Sequence, residues 1–438
     1  MTGSTEKKGG VLSAIALAWL FTSLFYFYQY MLRSAPAVMM PELTFGYGLS
    51  AAALASLLGV FYYGYAIFSL VSGVAMDQLG PRYVVPGACL AVGIGALLFA
   101  SGDSTLGGIG RFVQGAGGVF ALIGAAYLVT KNFPASRAAT LIGATQMFGM
   151  AGGSAGQFLV GPAIAGGLLW NQFWAVMGIA GLFGAVVLLF FIPRSAEQNA
   201  PSSNWARRAV SAIATVSLNP QSLLCGLIAA FMFFPTTIFD MVWGVRFLQE
   251  SHSMPYAEAV LRSASVPFGW IIGCPLLGAI SDRIGRRKPV IVCAAAVLLA
   301  CLGFILYGKP GMLPAYSVGL LAGIASGAAM LPYTIIKEAN RPEHSGTSTG
   351  VINFIIFSLT AVFGPIFAGL LTQVSGGGER ELAHYQDAFQ PLLYGIGVSI
   401  LLTFLLHETG PAARAPAGVN ASSGSIDSGT KGRPVAGR

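Results

Sequence analysis

The chain reads as a succession of apolar stretches divided by short polar turns. Each stretch reaches the roughly 20 residues that a helix needs to cross the hydrocarbon core of a bilayer. Twelve are predicted. The first six fall near 12–36, 51–76, 83–101, 106–130, 138–163 and 170–192, and the second six near 222–247, 259–281, 289–307, 313–336, 347–373 and 390–407. Between the sets lies the most polar internal segment, from Pro193 to about Pro220, with Glu197, Gln198, Asn199, Arg207 and Arg208. From about Glu408 the chain is rich in Gly, Ala, Pro and Ser and is expected to be disordered. The expected units are therefore a six-helix bundle over 1–192, a linker over 193–220, a second six-helix bundle over 221–407 and a tail over 408–438. Lys7 and Lys8 before the first stretch imitate a signal peptide. That stretch is too long and too aromatic, and it lacks a small-residue cleavage site, so it is read as the first membrane helix.

The basic residues agree with this alternation. With a cytoplasmic N-terminus, 18 of the 24 Lys and Arg fall on the cytoplasmic side, in the short loops or in the tail. The remaining six are Arg33, Arg111, Arg246, Arg262, Lys309 and Arg380. That is the bias of a protein with an even number of spans and both termini inside. Composition excludes the competing classes. Hydrophobic residues make up 55% and charged residues 9%, too few charges to cover a soluble particle, against about 25% in an average soluble protein. The fold class is an all-α polytopic membrane protein. Its 58 glycines suit closely packed membrane helices. The net charge of +8 reflects topology and not nucleic acid. Cys89, Cys225, Cys274, Cys293 and Cys301 lie in apolar runs without metal-ligand spacing and are read as small core residues.

The turn after the second stretch is GVAMDQLGPR, with Gly73, Asp77, Gly80 and Arg82. The turn after the eighth is GAISDRIGRRK, with Gly278, Asp282, Arg283, Gly285, Arg286, Arg287 and Lys288. Both fit GxxxDxxGxR at corresponding places in the two halves. Glycine lets the chain reverse tightly, while Asp and Arg near helix ends complement the helix dipoles. In this paired motif the chain resembles the major facilitator superfamily, over about residues 12–407. GRFVQGAGG in the fourth stretch is a second match, with Arg111, Gln114, Gly115 and Gly117 on the family's RxxQGxG pattern. The resemblance implies two six-helix bundles related by a pseudo-twofold axis around a cavity that opens to each side in turn. It implies that the paired loops act as a conformational latch, Asp77 and Asp282 contacting helix ends, and it associates Arg111 with proton coupling. A packing and snorkelling arginine is the plainer reading of Arg111.

An ionisable residue at membrane depth costs roughly 2.5–3.5 kcal/mol and should have a use or a partner. Arg33 lies in the outer half of the first stretch, with Gln29 four residues earlier, Tyr30 three and Tyr26 seven on one face. A cation with hydroxyl and amide donors suits a carboxylate or phosphate; a snorkelling arginine is the alternative. The segment Tyr30–Leu43 and the following YYGYAIFSLVSG resemble the organophosphate–phosphate antiporters and related organic-anion carriers, whose matching arginine contacts the anion. Those phosphate carriers have a second arginine in the seventh helix and a basic residue in the second. This chain has neither there, which argues against phosphate esters.

The seventh stretch instead offers Asp240, with Arg246 further out. Asp240 is read three ways: as the carrier of a coupling proton, as a substrate contact, or as a structural partner of Arg33. An Arg33–Asp240 pair would suit a zwitterion such as an amino acid or small peptide, or a mono-anion moving with a proton. Tyr62, Tyr63, Tyr65, Gln146, Trp243, Tyr333 and Asn353 could line the cavity, although aromatics on packed helices are more often core or interface. Lys337 and Glu338 suit a gate or loop salt bridge. His252, His344, His384 and His407 are not deep in any helix and receive no metal role. GGSAGQFLVGPAIAGG in the fifth stretch is similar to a motif of proton-driven drug antiporters with shifted spacing, and a glycine packing seam explains it equally.

The expectation is a monomeric secondary active transporter of the cytoplasmic (cell inner) membrane, or of a specialised intracellular membrane. It would move a small organic anion or zwitterion by alternating access, with protons as the coupling ion, since no GxxxxGK[ST] motif is present to couple ATP hydrolysis. No cofactor, nucleic-acid partner or enzymatic activity is expected. The rivals are drug or metabolite efflux, iron transport, and a non-transporting sensor or assembly protein of the same fold.

Overall fold

The computed structural model describes residues 3–133, 135–193, 205–314 and 316–410. Residues 194–204 of the expected linker and 411–438 of the expected tail lie outside them, as does the side chain of Asp77. Every regular element among the described residues is helical. The long helices are α1 (Gly3–Ser34), α2 (Ala51–Leu79), α3 (Pro81–Ala100), α4 (Ser104–Asn132), α5 (Ala135–Phe158, continued by Val160–Ala165) and α6 (Trp170–Phe191) in the first half. The second half has α7 (Pro220–His252), α8 (Tyr256–Ile284), α9 (Lys288–Tyr307), α10 (Ser317–Glu338), α11 (Ser345–Val374) and α12 (Leu382–Leu405). Among the described residues, eleven helices are long and apolar enough to cross a membrane, all but α5 of this set. The chain is a multi-pass membrane protein.

Local chemistry sets the helix boundaries. Ser50, Asp103 and Asn219 begin α2, α4 and α7 by accepting backbone N–H bonds from Ala53, Leu106 and Gln221 at 3.2, 2.8 and 3.0 Å. Gly80 (φ 71°) and Gly285 (φ 69°) turn the chain after α2 and α8 in conformations that other residues avoid. Pro81 then opens α3, where its missing N–H costs nothing.

The structure departs from the hydropathy pattern where polar residues are helical. Helix α12 begins at Leu382, ahead of its apolar run, because Glu381 and His384 form a capping box. The linker contains a further helix, Trp205–Ser217, with Val216 buried and Arg207 exposed. Its apolar residues are spread by helical period, so no continuous run marks it. Cys293 is exposed rather than in the core, because it shares an outward stripe of α9 with Val297; Cys89, Cys225 and Cys301 are buried.

Each half packs as a unit, α2 on α4 and α3 on α4 and α6 in one, α8 on α10 and α9 on α12 in the other. The halves meet along two seams, α2 with α11 and α5 with α8. Within a half, helices touch backbone to backbone. A Cβ at Gly115 of α4 would collide with the Phe61 carbonyl of α2, and one at Gly323 of α10 with the Val266 carbonyl of α8. These are corresponding helix pairs, so the two bundles repeat one packing device. Gly115→Ala and Gly323→Ala should each force a helix pair apart at a cost of about 1–3 kcal/mol. The expected readout is a lower melting temperature in detergent, while Gly303→Ala, which meets open space, should not lower it.

Candidate functional site

In its last two turns, α1 turns its polar face inward. Arg33 is 3% exposed, and its guanidinium carbon lies 4.9 Å from the ring centroids of Tyr30, Tyr62 and Phe357. Three aromatic faces around one cation stabilise it through their quadrupoles. Its Nε donates to the Tyr62 hydroxyl at 3.3 Å, while Nη1 and Nη2 have no hydrogen-bond partner. Arg111, on α4, is 2% exposed and lies 5.0 Å from the Phe61 ring. It donates to Gln114 Oε1 at 2.7 Å. Among the described residues, neither arginine has a carboxylate within ion-pair distance.

Both arginines line one cavity, with Tyr62 from α2, Thr237, Met241 and Trp243 from α7 and Thr360 from α11. It lies between the halves and is closed to about 20 Å³, room for one water molecule. The sequence placed Arg33 there but treated Arg111 as a separate matter. No linear spacing shows that a residue on α4 and one at the end of α1 reach the same point.

Asp240 does not join them. Its Oδ1 accepts from Ser263 of α8 at 2.9 Å and its Oδ2 has no partner; among the described residues no cation lies within ion-pair distance. The expected structural pair with Arg33 is therefore not formed. The cause is the winding of α7. Pro235 cannot donate the backbone bond that would continue an α-helical ladder, and Pro235–Gly244 adopts the wider π-helical turn. Arg246 pairs with Glu250 four residues on, and Glu250 also accepts from Tyr385 at 2.6 Å.

The other candidates divide by helix face. Tyr30 and Trp243 are buried at the centre. Tyr63 is 42% exposed on an apolar stripe with Ile67 and Val71, one residue's rotation from the inward Tyr62, so it does not line the cavity. Gln29 is buried against Gly118 of α4 with both amide atoms unpartnered. Asn353 accepts from Tyr333 at 2.5 Å, joining α10 and α11 inside the second half. Gln146 accepts from Tyr26 at 3.3 Å inside the first.

At the loop-motif end, Gly73 of α2 comes within 4.0 Å of Gly346 of α11 for an added Cβ. Arg82 reaches across its half to the Ile192 carbonyl at 2.5 Å, closing α3 onto the end of α6. Lys288 does the same in the second half, donating to the Phe404 and Leu406 carbonyls at 3.0 and 2.8 Å. Asp282 accepts from Arg287 at 2.6 Å, and Arg287 also donates to Glu338 at 3.1 Å. Glu338 thus forms a loop salt bridge. Arg283 and Arg286 are exposed, and the buried Arg287 carries the network. Arg287 is the arginine that GxxxDxxGxR itself specifies, the counterpart of Arg82, while Arg283 and Arg286 occupy its variable positions. Glu408 completes the cluster: its carboxylate accepts the backbone N–H groups of Arg287 and Lys288 at 2.8 and 3.1 Å.

Comparison with known proteins agrees with this architecture. A family model described as Major Facilitator Superfamily matches residues 22–365. The chain is 26% identical over 378 residues to the hexuronate transporter of Bacillus subtilis (strain 168), covering 82% of this chain and 88% of that protein. It is 23% identical to the membrane sensor protein UhpC of Salmonella typhimurium (strain LT2), with 88% of each covered. A crystal structure of a bacterial homologue of the human lysosomal transporter Spinster, in an inward-facing and unoccupied conformation, superposes with a TM-score of 0.66 at 17% identity. That superposition covers 90% of this chain and 95% of the other.

The Glu408 contacts give a pH signature. Burial alone would raise its pKa, but backbone donors from Arg287, Gly410, Lys288 and Thr409 outweigh this and hold it below the ordinary carboxylate value. A depressed folded pKa contributes stability above the unfolded value of about 4.3, lost as pH falls through the folded one. Glu408→Gln should lower the melting temperature at neutral pH, and the gap from wild type should close in acid. Equal melting temperatures at neutral pH would show that this carboxylate holds nothing.

Proposed function

The chain belongs to the Major Facilitator Superfamily, and on that footing we propose that it is a secondary active transporter of a small organic anion, coupled to protons and working by alternating access. The observation that carries the reading is the pair of buried arginines, Arg33 and Arg111, which line one cavity between the halves without a carboxylate. Each charge costs roughly 2.5–3.5 kcal/mol at membrane depth, which a bound anion would offset. The free Nη atoms of Arg33 offer the parallel donors that a carboxylate accepts. Tyr30, Tyr62 and Trp243 would enclose the rest of a small solute.

Two convergent cations favour an anion over the zwitterion that an Arg33–Asp240 pair would suit, and they disfavour a cationic drug or iron. The similarity to a hexuronate transporter points to the same class, a sugar acid or similar carboxylate. A closed centre of about 20 Å³ fits a state between openings, since such a solute needs a wider cavity. Asp240 is the residue assigned to proton coupling. It is buried without a cation, so a proton is what can neutralise it. The paired loops would act as the latch, in a cell inner membrane with twelve spans and both termini cytoplasmic, the protein working as a monomer.

The test is uptake into proteoliposomes of labelled glucuronate, with unlabelled carboxylates, amino acids, cationic drugs and ferrous iron as competitors. Arg33→Ala should reduce uptake roughly ten- to hundredfold, the value of about 1.5–3 kcal/mol for a hydrogen bond to a charged group. Arg33→Lys should recover part of it. Full activity of both Arg33→Ala and Arg111→Ala on every transported probe would sink the proposal. Binding of glucuronate without uptake would make the chain a sensor rather than a carrier.

A further inference from the structure

A second cavity, of about 70 Å³, lies wholly inside the second half. Its polar lining is Asp240 and Ser263 at the inner end, with Ser326 of α10. Ala322 forms part of its wall, and Arg262 and Pro310 stand at its rim. Pro310 lies beyond the end of α9, and Arg262 sits in the second turn of α8. That places the rim on the face opposite the paired loops. No residue lines both this cavity and the one holding Arg33.

The wall between the two is the π-helical segment of α7. Thr237, Ile238, Met241 and Trp243 face the arginine cavity, while Phe239, Asp240 and Gly244 face the second one. Asp240 Oδ2 and the Ser326 hydroxyl are both buried without a hydrogen-bond partner. Buried polar atoms left open in this way are sites for water, and the volume admits about two water molecules at their share of liquid volume.

We infer that this crevice is the route by which protons reach Asp240 from the face opposite the loop motifs, separate from the path of the anion. The inference rests on the coupling role assigned to Asp240 above. Proton and anion then sit back to back on one stretch of helix, and each is sensed by the other through the winding of Pro235–Gly244 rather than through contact. Apart from Asp240, Arg262 is the one charged residue in the crevice lining, and it is held by Glu258 at 2.8 Å. Helices α9 and α10 bring no charge to that lining. From the other half, Gln157 of α5 approaches Asp240 without closing a hydrogen bond, while Arg33 and Arg111 lie on the far side of the α7 segment.

The test is infrared spectroscopy of the full-length protein, oriented in proteoliposomes and given a pH step on one face. The carboxyl band of Asp240 is identified by its loss in Asp240→Asn. In wild type the band should follow a step on the face opposite the loops. Ala322→Trp should slow that response at least tenfold. Ala322→Cys keeps the crevice open during folding. It should respond as wild type until a small charged methanethiosulfonate reagent plugs it, and then slow equally. The inference is overturned by an unchanged response in the plugged protein, by failure of the charged reagent to reach Cys at 322 when N-ethylmaleimide does, or by a band that follows only the loop-motif face. If no band is lost in Asp240→Asn, the coupling role itself falls. If the band is lost but the plug has no effect, only the route does.

Discussion

Close backbone contact between helices within each half is the constraint on which the other features depend. Where Gly115 meets the Phe61 carbonyl and Gly323 meets Val266, no side chain separates the helices, and such pairs can move only together. Across the seams the hydrogen bonds are few and neutral, from Tyr62 to the Thr237 carbonyl, Ser69 to Gly350, Ser154 to Ala264, and Tyr256 to Val38 and Gly161. Packing in membranes gains little from the hydrophobic effect, so close fit and hydrogen bonding decide what holds. The closest backbone approaches lie inside the halves, while the boundary has a looser one, Gly350 of α11 against the Ser69 carbonyl of α2.

That division explains where the buried charges can stand. An arginine inside a half would need a fixed carboxylate partner; at the boundary it can wait for a mobile one. Arg33 and Arg111 are steadied meanwhile by aromatic faces and by amide and hydroxyl acceptors. These temper the cost of burial without consuming every donor. Asp240, behind the α7 segment, is kept from neutralising them.

Much of this was legible in the sequence, for identifiable reasons. Span positions follow from length and apolarity, and the paired loops from repeated spacing, so the family was recognisable before any coordinate. Arg33 stood out because an arginine at membrane depth is rare. Directions around a helix were less legible. Tyr62 and Tyr63 differ by a single residue, and only the position of α11 decides which faces inward. The convergence of Arg111 with Arg33 and the side of α7 on which Asp240 falls both depend on tertiary placement, whereas Arg287 holds the arginine position of the repeated motif and was legible from its spacing. The helix at Trp205–Ser217 went unread because its apolar residues are interleaved with polar ones.

The neutral seam has one further consequence. Among the described residues every ion pair is internal to the second half. Mobile ions act on exposed charges over a Debye length of about 8 Å at physiological strength, and along this boundary they find no ion pair to screen. In the alternating-access cycle proposed above, parting this boundary would break no described ion pair, so that step is expected to respond only weakly to the salt on either face of the membrane.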